Sequence, residues 1–449
     1  MSVSDLVARY DVPVPRYTSY PPVPNWRDTP SPEQWLASLT RALDAPDASL
    51  ALYLHLPFCE SLCTFCGCNT VITRDHRHET TYIDALFAEL DLYIERVPGI
   101  GARSLSQLHL GGGTPTFMSA GSLDRLMSGL DTRLGKHAAE FEGSIEVDPR
   151  VTTGAQLEVM RRHGVTRVSL GVQDVDPEVQ RLVNRRQSLA QTEAVCRAAR
   201  ALGYESLNFD LIYGLPGQTV GSMARLTEAV LDLRPDRLAV YSFARVPWIK
   251  PAQRRFKDDQ IPAGAEKRAL YDAVRDPLLD AGYEEIGLDH FALPADALAR
   301  AARHGTLHRN FMGYTHARTS ALIGLGVSAI SETAGCYHQN EKVLTKYVHR
   351  VQDREIPTLR GHVLSDSDRD RRGRILELMT RFAVEVEADE AEQLRQFLGP
   401  LFDEGLLALD EAHLIVPPQG RPFLRHAASF FDLYYRSTTP DGPRYSTSA

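Results

Sequence analysis

The residues with the clearest chemical spacing are Cys59-x3-Cys63-x2-Cys66, set directly after the apolar run YLHLPF. Three thiolates on one short loop can each bind one iron of a [4Fe–4S] cube, leaving the fourth iron open to a small molecule. A structural zinc site needs four closed ligands. Cys68 would complete such a set, but it follows Cys66 by only two residues, an awkward spacing for four ligands on one turn. The next apolar run ends in Gly111-Gly112-Gly113-Thr114-Pro115. Glycines there let the backbone approach a ligand closely. Polar residues recur at the ends of later apolar runs: Glu146, Gln173 and Asp210. Cys196, in the helical pattern EAVCRAARAL, and Cys336, after an apolar stretch, read as buried structural thiols.

Positioning these groups requires a regular frame. Six short apolar runs (ALYLHLP, LSQLHLG, GSIEVDP, RVSLGVQ, SLNFDLIYG, RLAVYSF) alternate with helical patterns at 80–97, 121–134, 153–163, 189–202 and 220–233. That rhythm predicts β-α repeats and a parallel sheet, and the near-continuous apolar character predicts strands covered on both sides. In α/β barrels the strand ends carrying Glu146, Gln173 and Asp210 form the active-site face. The expected fold is α/β, a partial (β/α)6 barrel over 49–245. An extended N-terminal arm (1–48, with a helix near 32–43) precedes it, and substrate-site elements (246–359) extend it. In the extension Pro247, Pro251 and Pro262 break the rhythm before a helix at 264–281 and a strand at 284–291. A smaller, mainly helical, winged-helix-like domain is expected over 360–449: helices at 366–382 and 389–404, a hairpin in LLALDEAHLIVP, a helix at 421–435 and a polar tail.

Composition excludes several classes. The chain has 449 residues, 43% apolar and 24% charged, ordinary for a globular protein. Its net charge of −8 argues against a nucleic-acid partner, which asks for a basic excess. Uncharged stretches such as 319–331 are too short to span a bilayer, and the N-terminus lacks the apolar core of a signal peptide. A cytoplasmic protein with no membrane partner is expected, and a local cysteine cluster there points to metal or redox chemistry, not disulfides.

Cys-x3-Cys-x2-Cys with Phe65 before the third cysteine resembles the radical S-adenosylmethionine (SAM) superfamily, and GGGTP stands where that superfamily carries its glycine motif. Further motifs narrow the resemblance to the oxygen-independent coproporphyrinogen III oxidases: PRYTSYPP, YLHLPFC, CTFCGC, HLGGGTPTF, IEVDPR, SLGVQD, VQRLVNR, NFDLIYGLPGQT, DHFA and HRNFMGYT. The similarity runs from about residue 10 into the C-terminal domain. A haem chaperone of the same fold is the alternative. It shares the cysteine triad and GGGTP, but it usually lacks the N-terminal arm, Cys68 and HRNF-x-GYT. A radical SAM methyltransferase-like enzyme is a third reading.

The resemblance implies a [4Fe–4S] cluster on Cys59, Cys63 and Cys66, with no iron on Cys68, and two molecules of SAM. Tyr53, Gly112, Glu146 and Ile330 then resemble contacts of the cluster-bound SAM. Phe65, Gly113, Thr114, Gln173, Arg185, Asp210 and Ala244 resemble contacts of the second. It further implies anaerobic conversion of coproporphyrinogen III to protoporphyrinogen IX in haem biosynthesis, two propionates becoming vinyl groups with loss of two CO2. The cofactor carries the hard chemistry, so no separate catalytic side chain is assigned. Four carboxylates on the substrate call for basic side chains near the barrel mouth, and Arg16, His290, His308 and Arg309 are the candidates, with Tyr17, Tyr20 and Tyr314 to cover the macrocycle edge. An electron donor such as a flavodoxin or ferredoxin, a terminal electron acceptor the sequence does not identify, and a monomeric state complete the expectation.

Overall fold

In the computed structural model, residues 7, 9, 10, 12–135, 137–437 and 445 are described; most of the expected polar tail lies outside them. The six apolar runs form parallel strands in chain order: β1 (Leu50–Leu56), β2 (Leu105–Gly112), β3 (His137–Val147), β4 (Val165–Gln173), β5 (Ser206–Tyr213) and β6 (Arg237–Ser242). After α1 (Pro32–Leu43), helices α2 (His78–Arg96), α3 (Ala120–Leu134), α4 (Gly154–Arg162), α5 (Leu189–Ala201) and α6 (Val220–Leu233) return the chain from each strand to the next. Four of these helices begin on a hydroxyl cap: Ser119, Thr153, Ser188 and Thr219 each accept a backbone N–H three residues on. Each such cap is worth about 1 kcal/mol and fixes where the chain leaves the strand-end loops.

The sheet runs further than six strands. After α7 (Gly264–Asp280) come β7 (Glu284–Glu285) and β8 (His290–Ala292). Then follow β9 (Ala321–Leu325), β10 (Ile330–Thr333), β11 (Cys336–Asn340), α8 (Leu344–Gln352) and β12 (Thr358–Val363). The order is β12-β11-β10-β9-β1-β2-β3-β4-β5-β6-β8-β7, twelve strands in all. β9 joins β1 in parallel, with Tyr53 opposite Gly324, and the outer strands are antiparallel.

Two expectations change here. The single strand expected over 284–291 is a tight hairpin, because the chain folds back at Gly287, where an added Cβ would lie 2.4 Å from the Tyr314 ring. The strands are also not apolar on both faces. Leu52, Leu108, Ile145, Val168, Phe209 and Val240 pack beneath the helices in one continuous core. The residues alternating with them carry a polar inner face: His109 bonds Ser144 at 2.7 Å, and Asn208 bonds Ser169 at 2.7 Å and Asp210 at 3.0 Å. An open partial barrel does not fill its own interior, so its inner wall remains available to a polar ligand.

A second core lies in the C-terminal region. Helices α9 (Asp366–Arg381) and α10 (Ala388–Asp403) pack with β13 (Ala383–Glu385), β14 (Ala408–Asp410) and β15 (His413–Ile415), ordered β13-β15-β14. The helix expected over 421–435 is broken. It becomes a 3-10 turn (Pro418–Phe423) and two short helices (Leu424–Ser429 and Leu433–Arg436), the last restarting on an Asp432 cap. Val14, Tyr17 and Tyr20 of the N-terminal arm pack into this core with Leu378, Leu424 and Phe431, while Trp35 and Leu39 of α1 pack into the barrel core. No helix among the described residues is long and apolar enough to cross a membrane.

Candidate active site at the strand ends

The cysteine loop starts at the end of β1 and is clasped by the glycine segment that follows β2. The parallel ladder continues past both strands: Gly113 N–H donates to Leu56 O and Thr114 N–H to Phe58 O, each at 2.9 Å. Gly113 must be glycine, because a Cβ there would lie 2.5 Å from the Pro57 carbonyl carbon and oxygen. Gly112 adopts φ +110°, a conformation that disfavours side chains, and a Cβ would strike the His55 ring at 2.7 Å. The far side of the loop is tied to the end of a short helix (Pro177–Leu182) that follows β4, with Thr64 N–H on Val183 O at 3.0 Å and Asn184 Nδ2 on Leu62 O at 2.8 Å.

Each thiol meets a different donor. The Thr114 hydroxyl lies 3.3 Å from Cys59 Sγ, and the Cys68 backbone N–H donates to Cys66 Sγ at 3.4 Å. Arg185 Nη1 and Arg150 Nη2 approach Cys63 Sγ at 3.6 and 3.8 Å. Burial pushes the Cys59 thiol up to about 11, against the Thr114 hydroxyl; the Cys68 thiol and N–H hold Cys66 down to about 6. Among the described residues no three His, Cys, Asp or Glu side chains converge to hold a single metal ion. A cube asks for less convergence, since each thiolate binds its own iron. The donor set fits it: three thiols on a tethered loop, each with a hydrogen-bond donor at its sulfur.

Next to this loop, Glu146 on β3 accepts the Gly112 N–H at 3.2 Å and faces His109 Nε2 at 3.3 Å. Burial raises the Glu146 carboxyl, but the His109 and Gly112 hydrogen bonds outweigh it and keep its pKa below the ordinary value. Tyr53 stacks on His109, with ring centroids 5.8 Å apart, and its hydroxyl meets His55 Nδ1 at 2.9 Å. Ile330 opens β10, its backbone packed against Gly324, the register partner of Tyr53; its side chain joins Trp26, Tyr337 and Leu364.

The remaining SAM candidates line the adjacent strand ends. Gln173 sits at φ +66° beyond a register shift in β4, which re-aims its side chain. Gln173 Nε2 and Arg185 Nη2 both approach Gly171, within 3.0 and 2.9 Å of where its Cβ would be. Arg185, 7% exposed, pairs with Asp148 Oδ2 at 3.0 Å and donates to Gly171 O at 2.6 Å. Asp210, the register neighbour of Gly171, accepts from Ser169 Oγ at 3.0 Å; burial and then the Glu146 charge push it up to about 6. Gln253 joins Phe65 to Ala244, donating to both carbonyls at 3.2 Å, while its own Oε1 accepts Val246 N–H at 2.6 Å.

Of the substrate candidates, three converge and one does not. Arg16 pairs with Asp289, whose other oxygen meets His290 Nδ1 at 2.6 Å, and Arg16 lies over the Tyr241 ring at 5.6 Å. Arg309 donates to Arg16 O at 3.4 Å and stacks on Tyr314 at 4.4 Å, while its Nε and Nη1 are buried without a partner. Burial and the Arg309 and Arg16 charges hold the His290 pKa well below its ordinary value. A cleft of about 720 Å³, open solvent included, adjoins this edge and is lined by Arg16, Tyr213, Asp289, Arg421 and Arg425. His308 instead faces a separate cavity with Asn310, Ser49, Ser320 and Arg372, near the start of β1 and β9. Its neighbour Arg309 takes the opposite face because strand side chains alternate.

Several of these groups carry little signal in the sequence. Asp148 and Arg150 lie in IEVDPR, and a carboxylate next but one to an arginine at a strand end was their available signal. Gln253, Arg421 and Arg425 sit in irregular segments with no pattern to single them out.

Residues 53–230 match the Radical SAM superfamily. The chain is 40% identical over 442 residues to the oxygen-independent coproporphyrinogen III oxidase of Escherichia coli (strain K12), covering 96% of this chain and 95% of that protein. It is 38% identical over 439 residues to the protein of the same name from Paracoccus denitrificans (strain Pd 1222), covering 95% of each. The solved structure of Escherichia coli coproporphyrinogen III oxidase, described as a radical SAM enzyme, superimposes with a TM-score of 0.87 over 93% of this chain and 97% of that one.

Proposed function

From the premise that this chain belongs to the family of oxygen-independent coproporphyrinogen III oxidases, we infer that its strand-end site performs that reaction. The protein is a radical SAM oxidoreductase that decarboxylates two propionate side chains of coproporphyrinogen III to vinyl groups, giving protoporphyrinogen IX. The observation that carries this is similarity along 96% of the chain, joined to a Cys-x3-Cys-x2-Cys loop clasped by GGGT.

When bound, the [4Fe–4S] cluster and SAM supply a radical at the 5′ carbon of deoxyadenosine, able to take a hydrogen atom from the propionate β-carbon. The chain's own residues bind and orient. Cys59, Cys63 and Cys66 hold the cluster, and Cys68 serves Cys66 through its N–H. Glu146 and the backbone around Gly112 receive the ammonium and ribose of the first SAM, with Tyr53 and Ile330 beside them, since a carboxylate accepts from both groups. A second SAM lies against Phe65, Gly113, Thr114, Gln173, Arg185, Asp210 and Ala244, with Arg185 as the fork for a carboxylate. Arg16 and Arg309 receive substrate propionates, and the two unpartnered nitrogens of Arg309 support this assignment. His290 stays neutral among these arginines and can donate or accept a hydrogen bond. His308 is withdrawn from the substrate set because it faces another cavity.

The reaction draws electrons from a flavodoxin- or ferredoxin-class donor, passes one per propionate to an acceptor, and proceeds in a cytoplasmic monomer. A strictly anaerobic assay on coproporphyrinogen III tests the reading: protoporphyrinogen IX and two CO2 per turnover are expected, dependent on SAM and on cluster reconstitution. Haem binding without turnover would overturn it.

A further inference from the structure

Among the described residues, cationic side chains come within hydrogen-bond distance of one of the three thiols, Cys63, while Cys66 feels Lys250 and Arg185 from further away. Cys59 has a neutral hydroxyl and Cys66 a backbone N–H, whereas Cys63 has two guanidinium groups, Arg185 at 3.6 Å and Arg150 at 3.8 Å. One carboxylate stands between them. Asp148 accepts Arg150 Nε on Oδ1 at 3.0 Å and Nη2 on Oδ2 at 2.6 Å, and it accepts Arg185 Nη1 at 3.0 Å. Its Oδ1 also takes the Arg150 backbone N–H at 3.0 Å, and Arg150 Nη1 reaches Ser61 Oγ at 3.4 Å, so the fork is fixed at several points. Two guanidinium groups against one carboxylate leave one uncompensated positive charge. The group is largely buried, with side-chain exposures of 19% for Arg150, 9% for Arg185 and 8% for Asp148, so water screens it weakly.

We propose that Arg150 sets the reduction potential of the iron–sulfur cluster, raising it through its charge and N–H at the Cys63 sulfur, with Asp148 as the opposing element. The inference rests on the reading of Cys63 as a cluster ligand. Reducing a cluster adds negative charge to its sulfurs, and nearby positive charge and hydrogen bonds to sulfur favour the reduced form. Arg185 is engaged by a proposed SAM carboxylate site; Arg150 lies outside that site, so its effect is separable from cofactor binding. Its role is a positioning and tuning one: it makes the cluster easier for a donor to reduce.

The experiment is a potentiometric titration, followed by electron paramagnetic resonance, of anaerobically reconstituted full-length protein without SAM. It compares wild type, Arg150→Gln, Arg150→Lys and Asp148→Asn, with iron and sulfide measured on each. Arg150→Gln is expected to lower the ratio of reduced to oxidised cluster at fixed potential by about tenfold, a shift of about 59 mV for one electron. Asp148→Asn is expected to shift the midpoint in the opposite direction, and Arg150→Lys to lie between wild type and Arg150→Gln. Unchanged midpoints in Arg150→Gln and Asp148→Asn, or shifts of the same sign in both, would overturn the proposal, since loosened packing or solvent entry acts alike in the two. If Arg150→Gln assembles no cluster, the sign of the Asp148→Asn shift decides. Failure of both to assemble while wild type does assigns the trio to scaffolding and overturns the proposal too. A wild-type protein without iron and sulfide would instead remove the ligand assignment on which it rests.

Discussion

Around the cysteine loop, the polar groups come from consecutive strand ends, and backbone bonds hold the segments that carry them. Gly113 and Thr114 extend the β1–β2 ladder, Thr64 docks on Val183, and Gly112 fixes Glu146. At the arginine-lined edge the groups come from remote segments, Arg16 from the arm, Asp289 and His290 from the sheet's far end and Arg309 from a short two-stranded ribbon (His308–Asn310 with Gly313–Thr315). Side chains hold one another there, through ion pairs and stacked rings. The first region is tied down by backbone hydrogen bonds between its own segments, which suits a cluster and SAM. The second is built from exchangeable partners, which suits a site whose ligand brings its own carboxylates.

The largest expected effect breaks the tied-down side outright. Replacing Cys59, Cys63 or Cys66 by Ser should abolish the cluster and all turnover, whereas Cys68→Ser should keep about four irons per chain, because Cys68 meets Cys66 through its thiol and N–H and is not itself one of the three ligands. Iron and sulfide analysis separates these outcomes, and loss of iron in Cys68→Ser would mean the ligand set is misassigned. Gly113→Ala comes next. The new methyl meets the Pro57 carbonyl, which is backbone and cannot swing away, so the loop must shift at a cost of about 1–3 kcal/mol. Cluster content and the urea midpoint should both fall, while Gly121→Ala, inside α3 with nothing within 4 Å, should leave cluster content unchanged and raise the midpoint slightly.

Arg185→Ala should cost the second SAM about ten- to a hundredfold in affinity, from a charge-assisted contact of about 1.5–3 kcal/mol. The cluster and one SAM should remain, but coproporphyrinogen turnover should not. Anaerobic equilibrium binding decides, and two SAM molecules bound with unchanged affinity would reduce Arg185 to its Asp148 pairing. On the exchangeable side, Arg309→Gln should raise KM for coproporphyrinogen about tenfold, some 1.4 kcal/mol, with cluster content unchanged. His308→Ala should leave KM within about twofold. Equal effects in the two would erase the distinction drawn between the two faces of the ribbon.

The smallest effect is a pH slope. Burial and Glu146 raise Asp210 from 3.8 to about 6 in the folded protein. Between about pH 4 and 6 the folded state therefore keeps a proton that the unfolded chain has released, and stability falls as pH rises through that window. Asp210→Asn should remove this slope, at most about 1.4 kcal/mol per pH unit. Urea unfolding of wild type and variant at pH 4.5 and 6.5 measures it, and parallel behaviour of the two would show that Asp210 is solvated.

Local pattern was enough for the cysteine loop, the glycine turn, the β-α rhythm and most helix limits. Each rests on neighbours in sequence: α6 starts on its Thr219 cap and α1 on Ser31 followed by Pro32. The carboxylates and amides at strand ends were legible for the same reason, because a strand's register fixes which end faces the loops. The Arg421–Tyr435 stretch misled, since its helical pattern continues across Asp432 while the side chain of that residue instead caps a new helix.

By itself the sequence determined a parallel α/β frame, a three-thiol loop with its glycine clasp, and through its motifs the family. Only the tertiary structure decided that β9 adds a seventh parallel strand beside β1, that Val14, Tyr17 and Tyr20 of the arm pack with the C-terminal core, that Gln253 joins Phe65 to Ala244, and that His308 and Arg309, adjacent in sequence, line different cavities. The physical reason is range. Caps, turns and strand alternation are set by bonds between residues a few positions apart. Arg16 against Asp289, or Arg150 and Arg185 around Asp148, depend on closing long loops whose entropy is recovered only when the whole core forms, and no local pattern records which partners will then meet.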